Sequence, residues 1–357
     1  MSEAVFKLYA NCIPVKGARR STICDLQLYR FDFIPNGLYH ILTTMKDLSI
    51  GKIKAAFNVS QHRIIDEYFD FLVEKDYGFF CPDPRLFPDL ELTWMAPQPI
   101  TNAIIDVDEQ SRHPFASIFS QLDALGCLAL QLRFFSAVSL EETRNILEMT
   151  RRGTLRHIDL LLPYSDGLSD DVLCDLCFEH QRISRIVVYA APTSRIVKVS
   201  QTKVPIRFTT SRCDSPTCCG DVSPRYFAIN IEHFTEAQTW NTCLNRKISI
   251  SSDGHIRNCP SLPQSFGHIS TTPMSAAVMS PHYKDLWGIT KDQVKVCRDC
   301  EFRYICTDCR AYREDPADMA SKPLKCGYDP YSAEWRQSDD RSPENQPVLT
   351  PRQAEMP

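Results

Sequence analysis

The sequence predicts an α/β protein built from three successive parts. Three observations support this: β-rich stretches followed by helices near the amino terminus, strands alternating with helices in the middle, and cysteines crowded toward the carboxyl end. At 357 residues the chain is long enough for two or three compact units, each with its own core. We place the three parts at residues 1–97, 98–235 and 236–335, followed by a polar, proline-rich tail at 336–357 that we expect to be disordered.

The first part has the pattern of a winged helix, a small sheet with three helices. Ser60 is the predicted N-cap of the third helix, whose apolar residues fall on one broad face. A turn at residues 76–78 then leads into an apolar pair, Phe79-Phe80, as a β-wing would. The predicted elements are strands over residues 5–15 and 21–34 and helices over residues 36–45, 50–57 and 61–75.

The second part alternates strands with helices. Ser139 and Glu142 form a capping box that opens a helix expected to end at Gly153. This order predicts parallel strands with crossover helices. Because only about four strands are visible, we expect a partial (β/α) barrel rather than a closed eight-stranded one. The strand candidates are residues 128–135, 157–163, 184–190 and 204–209, and a further helix covers residues 170–181.

Composition excludes several classes of protein. The net charge of -4 and the lack of a basic run argue against a nucleic-acid partner. No apolar run is long enough to cross a bilayer, and the amino terminus lacks the pattern of a signal peptide. We therefore expect a cytoplasmic protein without a membrane partner. In a reducing cytosol, clustered cysteines are more typical of metal sites or catalytic thiols than of structural disulfides.

The third part concentrates cysteines at regular spacings. Seven of the chain's 16 cysteines lie in it, and thiolates suit either zinc or an iron–sulfur cluster. Two C-x2-C pairs stand only five residues apart, too close for the usual zinc ribbon, so we expect iron–sulfur clusters and keep zinc as the alternative. The candidate ligands are Cys243, Cys259, Cys297, Cys300, Cys306, Cys309 and Cys326.

This spacing, with four residues between Gly254 and Cys259, resembles the SPASM domain that ends radical-SAM peptide-modifying enzymes. One departure is the two residues between Cys306 and Cys309, where the family usually has three. The resemblance implies two [4Fe–4S] clusters, the second with Cys218, Cys219 or an open position in fourth place. It assigns Cys297, Cys300, Cys306 and Cys326 to one cluster, and Cys243, Cys259 and Cys309 to the other.

The sequence lacks the C-x3-C-x2-C motif that binds the radical-generating cluster, so no S-adenosylmethionine site is evident. The whole chain resembles the SPASM-domain peptide maturase of grasp-with-spasm systems, which share this absence. The stretches that carry the resemblance are CIPVKGARRSTICDLQ, CRDCEFRYICTDCRAYREDP and SKPLKCGYDPYSAEW. The resemblance implies two partners, a ribosomal precursor peptide and an ATP-grasp peptide ligase. It also implies an accessory role without radical chemistry, and the catalytic residues remain unknown.

The first part also resembles the winged-helix elements that recognise leader peptides, where an extended leader adds a strand to an open sheet edge. The third predicted helix carries four acidic residues against Arg63 and Lys75, a balance that argues against DNA binding. Two alternatives stay open: a redox peptide-modifying enzyme with an atypical cluster site around Cys213, Cys218 and Cys219, and a zinc-stabilised regulatory binding protein.

Overall fold

The computed structural model describes residues 4–198 and 204–336. Within them the helices are α1 Asn36–Thr44, α2 Ile50–Ala55, α3 His62–Glu74, α4 Phe115–Ala124, α5 Leu140–Glu148, α6 Asp170–Glu179, α7 Ile231–Thr239 and α8 Met274–Met279. The strands are β1 Val5–Leu8, β2 Cys12–Val15, β3 Ser21–Asp25, β4 Arg30–Ile34, β5 Gly78–Cys81, β6 Asn102–Val107, β7 Ala129–Phe134, β8 His157–Pro163, β9 Ile183–Tyr189, β10 Arg195–Lys198, β11 Pro205–Phe208, β12 Lys247–Ile250, β13 Ile256–Arg257, β14 Tyr328–Asp329 and β15 Glu334–Trp335.

The chain forms two compact units, and each combines separate stretches of sequence. Of the described residues, the first unit contains 4–95, 222–242 and 289–336, and the second contains 96–198, 204–221 and 243–288. This grouping follows spatial proximity, and the predicted succession of three domains stays a prediction. The tail expected at residues 336–357 lies, beyond residue 336, outside the described residues.

The second unit is built on one sheet of strand order β10-β11-β9-β8-β7-β6-β12-β13 within the described residues. The strands from β11 to β12 in this order are parallel, while β10 and β13 are antiparallel at the two ends. The predicted α/β class and parallel sheet are therefore confirmed. The inner strands carry long apolar runs, because helices cover a parallel sheet and bury its strands.

The four predicted strands are present as β7, β8, β9 and β11, but the expected number was too low. The parallel sheet also contains β6 and β12, and β12 lies in the stretch that we assigned to the cysteine-rich part. Its residue Ile248 pairs with Ala103 of β6, 145 positions earlier in the sequence. A four-residue strand whose partner is so distant leaves no local signal of its pairing.

Two predicted helix boundaries were wrong, the start of α3 and the end of α5. The capping residue ahead of α3 is Asn58, not Ser60, because Asn58 and Gln61 form a reciprocal capping box around a short 3-10 turn. Ser139 does cap α5, accepting from the backbone N–H of Glu142 at 3.0 Å, as expected. That helix ends at Glu148 rather than running to Gly153.

In the first unit the amino-terminal strands form two small sheets. The predicted strand over residues 5–15 is broken at Tyr9, whose carbonyl accepts from the N–H of Cys12 at 2.9 Å in a tight turn. As a result β1 pairs with β5, whereas β2, β3 and β4 form an antiparallel meander. Helices α1, α2 and α3 follow the meander, and the winged-helix assignment stays a prediction.

Two apolar clusters lie among the described residues of the first unit. One lies between the amino-terminal strands and helices, with Ile23, Leu38 and Leu72 fully buried. The other brings together Cys24 of β3, Phe234 of α7 and residues of the cysteine-rich stretch. The second cluster therefore joins residues from all three stretches of the first unit into one core. In neither unit do the described residues include a helix long and apolar enough to span a membrane.

Candidate metal centre

Four of the predicted ligands come together in the first unit. Cys297 opens a 3-10 turn that ends at Asp299. The N–H of Cys300 donates to the carbonyl of Cys297 at 3.0 Å. The N–H of Cys306 donates to the carbonyl of Phe302 at 2.9 Å, which turns the chain back toward Cys297. We call Cys297, Cys300, Cys306 and Cys326 the first thiol group, and residues 297–306 the ligand loop.

In the first thiol group Cys297 and Cys306 are buried, Cys300 and Cys326 are half-buried, and the cysteines act on one another electrostatically. Burial raises the pKa of Cys306 to about 12, and neighbouring Cys326 and Cys297 add to the rise. Burial also raises the pKa of Cys300 well above its ordinary value, with Cys306 and Cys297 again contributing. Thiols in such surroundings lose their protons only when a cation compensates the charge, as metal ligation does.

A buried lysine, Lys291, lies beside the first thiol group. Its ammonium donates to Sγ of Cys306 at 3.5 Å and to the carbonyl of Thr307 at 3.1 Å, and Oδ1 of Asp308 lies 4.0 Å away. Burial acts to lower the pKa of Lys291, but the electrostatic effects of Cys306, Cys297 and Asp308 outweigh it and raise the pKa overall. The ammonium therefore stays charged next to the thiols.

Two basic residues that are closer in sequence to the cysteines donate their hydrogen bonds to groups other than the thiols. Arg310 is fully buried and its guanidinium donates to Asp308, at 3.0 Å through Nε. Lys322 donates to the carbonyl of Tyr328 at 2.8 Å. Sequence proximity therefore did not identify Lys291, which stands six positions before Cys297 without any distinguishing motif.

A second thiol group, Cys219, Cys243 and Cys259, lies in the second unit around Lys247. The ammonium of Lys247 donates to Sγ of Cys243 at 3.4 Å. Burial acts to lower the pKa of Lys247, but the thiolates of Cys243, Cys259 and Cys219 together raise it above its ordinary value. Each thiol group is thus accompanied by one lysine.

The two cysteines predicted as alternatives for the fourth ligand of the second cluster differ in their bonding. Cys218 is bonded to Cys213 in a disulfide, whereas the thiol of Cys219 belongs to the second thiol group. Cys309 belongs to the first unit and is buried. Its predicted assignment with Cys243 and Cys259 stays a prediction.

A tight turn at Gly254 brings Cys259 back after β12. Gly254 has φ +84, and a Cβ there would stand 2.3 Å from Nε2 of His268. That imidazole also contacts the carbonyl of Asp253 at 2.9 Å, so it has little freedom to move away. The glycine ahead of the second cysteine is therefore required both by the left-handed backbone and by the space that His268 takes.

A buried ion pair at the carboxyl ends of β6 and β7 lies near the second thiol group. Nε and Nη2 of Arg133 donate to Oδ1 and Oδ2 of Asp106 at 2.6 and 2.8 Å, and both side chains are buried. Burial acts to lower the pKa of Arg133, but Asp106 and then the thiolates of Cys219 and Cys259 raise it overall. No sequence motif pointed to either residue.

The donor chemistry of both groups fits an iron–sulfur cluster. Each offers cysteine sulfurs, the usual ligands of such clusters, beside a positive charge that offsets the negative thiolates. Among the described residues no three cysteine, histidine or carboxylate groups converge as tightly as the ligands of one metal ion do. In a four-iron cluster each thiolate binds a different iron, so its ligands stand farther apart than those of one ion.

Comparison with known proteins supports an iron–sulfur domain in the cysteine-rich part of the chain. Residues 242–301 match the SPASM family, described as an iron–sulfur cluster-binding domain, so the predicted domain is confirmed there. No curated protein matches the chain. Two solved structures of SuiB from Streptococcus suis are similar to it, one bound to S-adenosylmethionine and one to the precursor peptide SuiA.

Both similarities to SuiB extend over most of each chain but are distant. The S-adenosylmethionine complex is 11% identical with a TM-score of 0.31, covering 86% of this chain and 96% of SuiB. The precursor-peptide complex is 11% identical with a TM-score of 0.30, covering 87% of this chain and 95% of SuiB.

Proposed function

We propose that this chain is an iron–sulfur maturation protein for a ribosomally synthesised peptide, binding the precursor and assisting an ATP-grasp ligase. The observation that carries the proposal is the pair of thiol groups, each beside a charged lysine, in a chain whose residues 242–301 match the SPASM domain. The first thiol group would hold one [4Fe–4S] cluster. In the second unit Cys219, Cys243 and Cys259 would be ligands of the other cluster, with Cys219 proposed for the position that the resemblance left between Cys218, Cys219 and an open site.

When bound, such clusters supply one-electron transfer or a rigid cross-link between distant parts of the chain. The residues of this chain then have separable tasks. Lys247 and Lys291 balance the charge of the thiolates, and the burial of Cys297 and Cys306 keeps water from the sulfurs. Proposing no S-adenosylmethionine site, we assign no radical step to the chain.

The precursor is expected to bind as an added strand at the open edge of β4. Within the described residues β4 pairs with β3 alone, so its other edge can accept an extended peptide. Arg30, the first residue of β4, donates to the carbonyl of Lys75 at 2.7 Å, which places the end of α3 beside that edge. Glu74, the last residue of α3, is exposed there. SuiB, for comparison, has been solved with a precursor peptide.

The metal content is tested by anaerobic reconstitution with iron and sulfide, followed by absorbance and electron paramagnetic resonance. We expect broad visible absorption and a paramagnetic signal on reduction. A featureless visible spectrum with stoichiometric zinc would instead support the zinc-stabilised binding protein. Release of 5′-deoxyadenosine from S-adenosylmethionine would replace the accessory role by a redox enzyme.

The partners are tested first by searching beside the gene for this chain for an ATP-grasp ligase and a short peptide reading frame, and then by co-purification with their products. We expect the tagged precursor to retain the wild-type protein and to retain Glu74→Lys less well. Glu141→Lys, at an exposed position in the first turn of α5 in the second unit, is the matched control and should bind normally. Failure of the wild-type protein to bind precursor would overturn the proposal.

A further inference from the structure

Two phenylalanines of β4, half-buried Phe31 and exposed Phe33, pack on the ligand loop. Phe31 and Phe33, two positions apart and hence on one face of β4, both pack against Phe302. Their ring centroids lie 5.6 and 5.8 Å from that of Phe302 in edge-to-face arrangements. Phe302 stands between Cys300 and Cys306 of the first thiol group. The strand that we propose to bind the precursor is thus supported by a residue between two ligands.

A buried carboxylate makes a second connection between the loop and the meander. Glu301 is fully buried and accepts from Nε of Arg20 at 2.9 Å and from the hydroxyl of Tyr328 at 2.5 Å. The guanidinium of Arg20 also lies 3.4 Å from the ring centroid of Phe33. A buried carboxylate is costly without partners, so these contacts hold Arg20, and with it the start of β3, to the ligand loop.

Backbone contacts complete the attachment. The N–H of Ala18 donates to the carbonyl of Asp299 at 2.8 Å, and Oγ1 of Thr22 donates to the carbonyl of Glu301 at 2.9 Å. Gly17 approaches so closely that a Cβ would stand 2.9 Å from Cβ of Glu301. The turn between β2 and β3 is therefore fitted to one conformation of the ligand loop.

We propose that loading of the first thiol group with its cluster and binding of the precursor at β4 are thermodynamically linked, each strengthening the other. This inference rests on the proposed function. Ligation at Cys300 and Cys306 fixes the short segment between them and so fixes Glu301 and Phe302. Without ligation the segment loses this constraint, β4 loses its support, and ordering the strand becomes part of the cost of binding. Linkage is reciprocal, so bound precursor also stabilises the loaded loop.

The test compares the affinity of a fluorescein-labelled synthetic leader of that precursor for reconstituted wild-type protein and for Cys306→Ser. Coupling free energies of this kind correspond to factors of about 5–150, and we expect a roughly tenfold weaker Kd for the variant. A control variant, Cys177→Ser, removes a buried thiol of α6 in the second unit and should keep the wild-type affinity.

A second variant covers the case in which Cys306→Ser fails to fold. Arg20→Met keeps every predicted ligand but breaks the contact with Glu301, so the loaded protein should bind leader several-fold more weakly. Amide hydrogen exchange, which needs no activity, should be faster in β3 and β4 of both variants. Absence of leader binding by wild-type protein would sink the proposed function and the linkage together. Equal affinity with and without the cluster would sink the linkage alone.

Discussion

The ammonium of Lys291 lies 3.5 Å from Sγ of Cys306, inside the first unit and out of reach of most solvent. Asp308 and Arg310 form an ion pair beside it, with Nη2 of Arg310 2.7 Å from Oδ1 of Asp308. The amide of Asn241 donates to the other carboxylate oxygen of Asp308 at 2.7 Å. The two cations and one carboxylate leave a net positive charge next to the first thiol group, which is the sign that a cluster held by thiolates needs.

That charge leads to a prediction about reduction potential. Lys291→Met should make the potential of one cluster more negative, because the reduced cluster carries more negative charge and loses its nearest cation. At a fixed potential we expect the ratio of reduced to oxidised cluster to fall roughly tenfold, about 59 mV for one electron. Redox titration followed by electron paramagnetic resonance measures it. Lys295→Met, which removes an exposed lysine paired with Asp318, should leave the potential unchanged.

Two adjacent cysteines provide a test variant and its matched control for the ligands of the second cluster. Cys219→Ser should lower the iron and sulfide content and change the paramagnetic spectrum of one cluster, because it removes a thiol of the second thiol group. Cys218→Ser should change neither, because its sulfur is bonded to Cys213. Iron and sulfide analysis after anaerobic reconstitution decides between them. The opposite pattern would make Cys218 the ligand.

The buried ion pair of Asp106 and Arg133 should matter for the stability of the second unit, because each buried charge needs the other as its partner. Arg133→Met leaves a buried carboxylate unpaired and should lower the free energy of unfolding by about 3–5 kcal/mol in urea denaturation. Adding Asp106→Leu should recover most of this loss, since an apolar pair replaces an ionic one. Arg144→Met breaks an exposed pair with Glu179 and should cost about 0–1 kcal/mol. Equal losses for both arginines would contradict the prediction.

The turn at Gly254 can be tested against a tolerant glycine. Gly254→Ala should cost about 1–3 kcal/mol and reduce iron incorporation, because alanine disfavours φ +84 and its Cβ would meet His268. Gly167→Ala has nothing within 4 Å of the added Cβ and should change the free energy of unfolding by less than about 0.5 kcal/mol. Thermal unfolding and iron analysis of both variants provide the measurement. A Gly254→Ala protein as stable and as rich in iron as wild type would refute the requirement.

Local pattern was enough for the elements whose cause is local. Apolar runs predicted β7, β8, β9 and β11, and the Ser139 cap was visible three residues ahead of Glu142. The cysteine spacing predicted an iron–sulfur domain, because C-x2-C pairs set two ligands within one turn. The cap of α3 was missed since Asn58 and Gln61 act on a 3-10 turn that the helical pattern alone does not reveal.

The sequence alone thus determined three things: the iron–sulfur domain at the carboxyl end, the α/β class and the parallel strands. Tertiary structure decided the rest: that Lys247 and Lys291 face the thiols, that Cys219 rather than Cys218 joins them, and that the amino-terminal meander rests on the ligand loop. The physical reason is distance along the chain. Arg20 meets Glu301 across 281 positions, and such a contact depends on how buried charges and aromatic rings find partners in space, not on any spacing that a sequence displays.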